Sequence, residues 1–240
     1  MANSYFQFKH FRIEQGRTAM KVCTDACVLG AVADVSGATR ILDVGTGTGL
    51  LALMAAQRNP TAHIEAVELD EAAAAQAAEN VAASPWADRI TVQACSLQTY
   101  AASQPAPFDH IICNPPFFRD SLRSPDAART TARHTADDSL TFAELAQFAA
   151  AHLPLTGLLT VLLPLPEMQH FAREASVAGL YPVSRLVLRH RACSKPLRHI
   201  VAFSRTRIPF TEQELSIHEA QSTDYSSTFR TLLSPFYLAL

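Results

Sequence analysis

Asn114-Pro115-Pro116-Phe117 follows directly on the apolar run Ile111-Ile112-Cys113, and these four residues have the types and spacing to do chemistry. The apolar run reads as a buried strand, so the four residues form a turn at its C-terminal end. A proline ring locks its own φ and pushes the preceding residue into extended backbone. Asn114 therefore has little freedom, and the Pro115 carbonyl points in a defined direction. An amide oxygen, a fixed carbonyl and an aromatic ring suit a flat NH₂ group, such as the exocyclic amine of adenine. Two oxygens accepting its N–H bonds would draw the nitrogen towards a tetrahedral shape. They would also stabilise positive charge as it gains a substituent. Phe117 would stack on the base, while Phe118 either joins it or packs into the core.

A second group is Asp43-Val44-Gly45-Thr46-Gly47-Thr48-Gly49, which ends one predicted strand and opens a helix. That is the context of a nucleotide-type cofactor loop, where glycines allow a tight turn and close approach. Asp43 discriminates between cofactors. A carboxylate two residues before the first glycine repels a pyrophosphate and favours the ammonium and sulfonium of S-adenosylmethionine, directly or through water. The spacing Gly-x-Gly-x-Gly also departs from the Gly-x-Gly-x-x-Gly of dinucleotide sites. Glu68 ends the next strand, where an acid can accept from both ribose hydroxyls. The cofactor-facing set is Asp43, Gly45, Thr46, Gly47, Gly49, Glu68, Leu69, Ser96, Leu97 and Asn114.

The elements that must position these groups alternate. Predicted strands are 40–44, 64–68, 90–94, 108–113, 158–163, 183–188 and 199–204, with helices at 50–58, 71–83, from 141 and 167–178. Leu215 and Ile217 alternate as in a further strand, and Tyr225 to Leu238 reads as an amphipathic helix with Phe229, Leu232, Leu233 and Phe236 on its apolar side. The expected fold is an α/β, Rossmann-like, mainly parallel seven-stranded sheet with helices on both faces. Ligands of such sheets bind beyond the C-terminal strand ends, where the glycine loop, Glu68, Ser96 and Asn114 all fall. One domain is expected, with residues 1–39 as an N-terminal cap, 40–205 as the core and 206–240 as a C-terminal strand and helix. The polar segment 119–139 is longer than a simple connection, as in binding loops.

Together these residues resemble class I S-adenosylmethionine-dependent methyltransferases of the amino-group-modifying kind. A narrower resemblance covers nearly the whole chain. Met20 to Asp25, Leu50 to Met54, Ala66 to Leu69, Ser84-Pro85-Trp86-Ala87 and Phe236-Tyr237-Leu238 are similar to the bacterial valine tRNA (adenine-N6)-methyltransferase family. The resemblance implies methylation of the adenosine immediately 3′ to the anticodon, with S-adenosyl-L-methionine as cofactor and the tRNA anticodon arm as partner. It also implies that Thr24 and Asp25 help close over the methionine end of the cofactor; the residues alone would equally read as a helix N-terminus. Three positions depart from the family pattern: Ser96 stands where an acid is common, and Cys23 and Ala26 replace expected glycines.

Composition narrows the partners. The 240 residues carry a formal net charge of −2, yet Arg185, Arg189, Arg191, Lys195, Arg198, Arg205 and Arg207 form a block without an acid. Such a block can bind phosphates, or it can be balanced by acids elsewhere in the fold. Arg119, Arg123, Arg189, Arg191, Lys195 and Arg198 are the candidate RNA contacts. Arg129, Arg133 and His134 share the first two residues' loop, and His10 and Phe11 are candidates for the substrate mouth. The five cysteines form no CxxC pair, which argues for reduced thiols and no metal. A cytoplasmic monomer without membrane attachment is expected. The open alternatives are another amine or amide methyltransferase (ribosomal RNA guanine N2, DNA adenine, protein glutamine) and a catalytically silent cofactor-binding scaffold. An NAD oxidoreductase is opposed by Asp43.

Overall fold

The computed structural model describes residues 3–18, 20–116 and 140–240. The chain opens with an antiparallel hairpin of β1 (Tyr5–Gln7) and β2 (Arg12–Glu14), followed by α1 (Thr24–Val32). Strands and helices then alternate: β3 (Arg40–Val44), α2 (Leu50–Arg58), β4 (His63–Glu68), α3 (Glu71–Ala82), β5 (Ile90–Ala94), α4 (Leu97–Ala102) and β6 (His110–Cys113). After β6 come α5 (Phe142–His152), β7 (Leu158–Leu163), α6 (Leu165–Val177), β8 (Tyr181–Arg189), β9 (Pro196–Ser204), β10 (Thr211–Ser216) and α7 (Ser227–Leu233).

One sheet runs β10-β8-β9-β7-β6-β3-β4-β5, and only β9 runs against its neighbours. All seven expected core strands form, and the further strand marked by Leu215 joins them as Thr211–Ser216 beside β8, which makes an eight-stranded sheet. The central strands are apolar on both sides, as a sheet covered on both faces requires. Ile41, Ile112, Leu162, Leu188 and Ile200 face α1, α2 and α7. Leu42, Val44, Ile111, Cys113, Val161, Leu163 and Phe203 face α4, α5 and α6.

Local signals set the helix ends. Thr141 and Glu144 make a reciprocal capping box at the start of α5. Asp70 caps α3 by accepting from the Ala73 N–H at 2.8 Å. The last helix is shorter than the expected 225–238, because Pro235 follows Ser234 and the chain turns back so that Tyr237 bridges to Phe8. Phe229, Leu233 and Phe236 are nevertheless buried. No helix among the described residues is long and apolar enough to cross a membrane.

Candidate active site

The strand ends line up across the sheet. Val44 pairs with Val67 on one side and Cys113 on the other, Cys113 pairs with Val161, and Val67 pairs with Gln93. The residues immediately beyond this line include Gly45, Glu68 and Asn114, so the glycine loop, the acid and the amide share one edge. Asn114 is half-buried and Pro115 buried, whereas Pro116 is exposed. Phe117, Phe118, Arg119, Arg123, Arg129, Arg133 and His134 lie outside the described residues.

The glycine loop is held from below by Asp43. Its Oδ2 accepts from the Thr46 hydroxyl at 2.5 Å and from the Ala52 N–H in α2 at 3.1 Å. Asp43 is wholly buried, and its Oδ1 has no partner among the described residues. Burial pushes its pKa up to about 7, and the neighbouring Glu68 charge adds to the rise. Asp43 is thus first a brace for the loop, with one oxygen left over. Gly45 and Gly47 have φ of +68° and +57°, and a Cβ at either would meet nothing within 4 Å. The loop therefore borders open space among the described residues.

Glu68 reaches the same loop. Its Oε2 accepts from the Gly47 N–H at 2.8 Å and its Oε1 from the Asp70 N–H at 3.0 Å. A carboxylate has about four acceptor positions, so lone pairs remain. Leu69 beside it is 38 % exposed, an unusual setting for a leucine next to a strand end. Ser96 caps α4, accepting from the Thr99 N–H and donating to the Thr99 hydroxyl, both at 3.0 Å. Leu97 is buried in the core with Tyr100 and Phe108. Both positions thus lie at the strand end, but their side chains serve the fold.

Thr24 and Asp25 open α1, as the helix reading expected. Asp25 ion-pairs with Arg198 of β9 at 2.9 Å, which ties the first turn of α1 to the sheet. Cys23 precedes the helix at φ −129° and ψ 153°, ordinary extended backbone, and Ala26 sits in regular helix. Neither position demands the glycine expected there.

The basic block divides. Arg185 pairs with Glu212, Arg189 with Glu214 at 2.9 Å, and Arg198 with Asp25. Two of the three acids that balance it come from β10, which lies parallel to β8, and the third, Asp25, from α1. Arg191 and Lys195 are exposed in the β8–β9 turn, on the same sheet edge as Asn114. Arg189 and Arg198 are therefore fold-bound and Arg191 and Lys195 remain open to a ligand. Phe11 is a core residue, 4.4 Å from Phe8 and edge-on to Trp86, whereas His10 is exposed.

Asn80 carried no signal in the sequence, being one polar residue in an alanine-rich helix. It is buried, and its amide donates to the carbonyls of Thr48 in the glycine loop and Glu14 in β2, each at 2.9 Å. Its oxygen accepts from the Glu14 N–H at 2.9 Å. The N-terminal hairpin is thereby locked to the loop.

Residues 26–163 match the model of the methyltransferase small domain. A tRNA1(Val) (adenine(37)-N6)-methyltransferase of Dyadobacter fermentans is 44% identical over 98% of each chain. The protein of the same description from Bacteroides thetaiotaomicron is also 44% identical, over the full length of both. The chain belongs to the tRNA1(Val) (adenine(37)-N6)-methyltransferase family. A third member, from Trichodesmium erythraeum, is 42% identical over 99% of each chain. Among solved structures, a protein of Agrobacterium tumefaciens described as a predicted O-methyltransferase superposes with a TM-score of 0.67 at 21% identity, covering 88% of this chain and 96% of that one. The ribosomal protein L11 methylase of Lactobacillus delbrueckii gives 0.55 at 18% identity, over 81% and 84%. These similarities show the class I methyltransferase fold, and the family is carried by the full-length relatives.

Proposed function

We propose that this protein transfers a methyl group from S-adenosylmethionine to N6 of an adenosine in tRNA, the nucleotide 3′ to the anticodon of valine tRNA. The observation that carries the reading is the alignment of Asn114-Pro115 with the glycine loop and Glu68 on one sheet edge. Family relatives carry that activity in their names.

The residues present fit the cofactor. Asp43 keeps one buried oxygen without a partner among the described residues, and Gly45 and Gly47 border space that a side chain would occupy. Gly45, Thr46, Gly47 and Gly49 would hold the amino-acid end with Thr24 and Asp25. Glu68 would take the ribose hydroxyls and Leu69 the adenine face, with Ser96 and Leu97 contributing backbone at the neighbouring strand end. When bound, S-adenosylmethionine supplies an electrophilic methyl group.

The chain's own contribution is orientation and charge stabilisation. The Asn114 side-chain oxygen and the Pro115 carbonyl accept the two N–H bonds of the adenine amine. The lone pair, otherwise delocalised into the ring, is then directed along the transfer line. As positive charge develops on nitrogen, the same two oxygens stabilise it without reorganisation. No strong base is needed beforehand, because the alkylated ammonium is acidic. Proximity supplies a further share of the rate. Phe117 would stack on the flipped base, while Pro116 stiffens the turn. Arg191 and Lys195 would hold the anticodon-arm backbone, with Arg119 and Arg123 from the following loop.

The test is nucleoside mass spectrometry of purified valine tRNA from a strain lacking the gene. The reading predicts loss of N6-methyladenosine from that tRNA and its return on complementation. Loss from ribosomal RNA instead would contradict it.

A further inference from the structure

Between α6 and the facing side of β8 and β9 lies a groove of about 160 Å³. Its walls include Leu165 and Met168 of α6, Arg185 of β8, His199 and Phe203 of β9, and Phe210 just before β10. His199 is 4 % exposed, and both ring nitrogens are buried without a hydrogen-bond partner among the described residues. Buried polar groups are nearly always paired, so an orphaned imidazole marks an interaction that the described residues do not make. Leu165 and Phe210 are 39 % and 48 % exposed, which leaves the apolar mouth open. Arg185 lies over the Phe210 ring, 5.7 Å from its centroid.

The groove starts beside the candidate active site. His199 pairs with Leu163, two residues past Val161, and Val161 pairs with Cys113. At a strand spacing of ~4.8 Å and a rise of ~3.3 Å per residue, the His199 backbone is roughly 10 Å from that of Asn114. An unstacked RNA strand covers such a distance within a nucleotide or two.

We propose that this groove takes an unpaired nucleobase of the substrate RNA, a neighbour of the target adenosine, with Phe210 and Leu165 against its face and His199 on its polar edge. The proposal rests on the tRNA reading above. A base has a flat apolar face and an edge of donors and acceptors, and sequence-specific RNA recognition works on such splayed loop bases. A neutral imidazole offers one donor and one acceptor. Burial and the Arg185 charge hold the His199 pKa below its ordinary value, which keeps the ring neutral. An aliphatic side chain from a protein partner would leave both nitrogens orphaned, and a phosphate, which offers only acceptors, would leave the acceptor nitrogen of a neutral ring unpaired. Leu165 and Phe210, the exposed pair, are the side chains that turn aside to bring the imidazole into contact.

The full-length protein, labelled with ¹⁵N in its imidazoles, is titrated with an unmodified valine-tRNA anticodon stem-loop. Parallel titrations use loops with a single abasic residue at each position flanking the target. The His199 ring signals should move with the intact loop and stay still with one of the abasic loops. His199→Leu and, separately, Phe210→Ser should raise KM for the intact loop about ten-fold while kcat stays within about two-fold, as for loss of one base-stacking contact. On that one abasic loop, neither variant should differ from wild type. If His199 only fills the core, its apolar replacement leaves RNA handling untouched, and the proposal is overturned. Ring signals unmoved at saturation, or the same KM penalty on every abasic loop, also overturn it. Methyl transfer by the wild-type protein is scored in parallel. A loop that is methylated while the His199 ring stays silent ends this proposal and spares the tRNA reading; a loop neither bound nor methylated ends both.

Discussion

Asp43 brings a carboxyl into the interior, where one oxygen holds Thr46 and Ala52 and the other has no partner among the described residues. Its folded pKa is raised to about 7 from an ordinary 3.8, because burial disfavours the charged form. The sign follows from linkage: the unfolded chain gives up this proton near pH 4, whereas the folded chain keeps it until about pH 7. The folded state therefore binds more protons in that window, and stability falls as pH rises through it. Asp43→Asn keeps an acceptor for Thr46 and Ala52 and removes the titration. Relative to this variant, the wild type should lose up to about 4 kcal/mol between pH 4 and pH 8, from about 1.4 kcal/mol per pKa unit. Denaturant melts across that range measure it, and parallel curves would contradict it. A cationic group brought to Oδ1 would reverse the shift. In the sequence Asp43 was legible as an acid beside a glycine loop. Its burial was not, since that depends on Ala52, nine residues later, reaching back to it. Ser96 stands at a strand end, where ligands of such sheets bind, and its role as the cap of α4 was not legible there.

Among the elements, long periodic segments were legible and short or featureless ones were not. The strands β3, β6, β7 and β9 stand out as apolar runs largely buried on both sides. β1 and β2 have three residues each, too few to show a period. α1 buries every residue from Ala26 to Ala31, so it has no polar face, and only its start at Thr24-Asp25 was signalled. The tie between the hairpin and the glycine loop was equally hidden, because it rests on the single side chain of Asn80. Asn80→Ala leaves the buried Thr48 carbonyl and the Glu14 backbone without that partner. The expected cost is about 1–3 kcal/mol, or a fall in Tm of about 2–4 °C per kcal/mol at this chain length. Calorimetry reads it, and an unchanged Tm would mean the hairpin is held by other contacts.

For the whole molecule, the near-neutral total hides a distribution that the fold rearranges. The acid-free stretch from Arg185 to Arg207 looked like one phosphate-binding block, but Glu212 and Glu214 on β10 neutralise Arg185 and Arg189, and Asp25 takes Arg198. Parallel pairing of β10 with β8 brings those acids in, and strand neighbours so far apart in sequence cannot be read from charge order. What remains at the sheet edge is Arg191 and Lys195. Replacing both with Gln should make the slope of log affinity for tRNA against log salt shallower by about 1–2, as for the loss of two phosphate contacts. An unchanged slope, measured by filter binding over a salt series, would move the RNA contact off this turn. Whether Asn114 takes part in the transfer is decided by initial rates of methyl transfer to unmodified valine tRNA by wild type and Asn114→Ala at saturating cofactor, with the product nucleoside identified by mass spectrometry. The wild type should yield N6-methyladenosine and the variant a rate about two to three orders of magnitude lower, as for loss of one preorganised hydrogen-bonding group, while calorimetric cofactor affinity is retained. A variant that methylates at the wild-type rate, or a wild type whose product is any other nucleoside, would contradict this expectation.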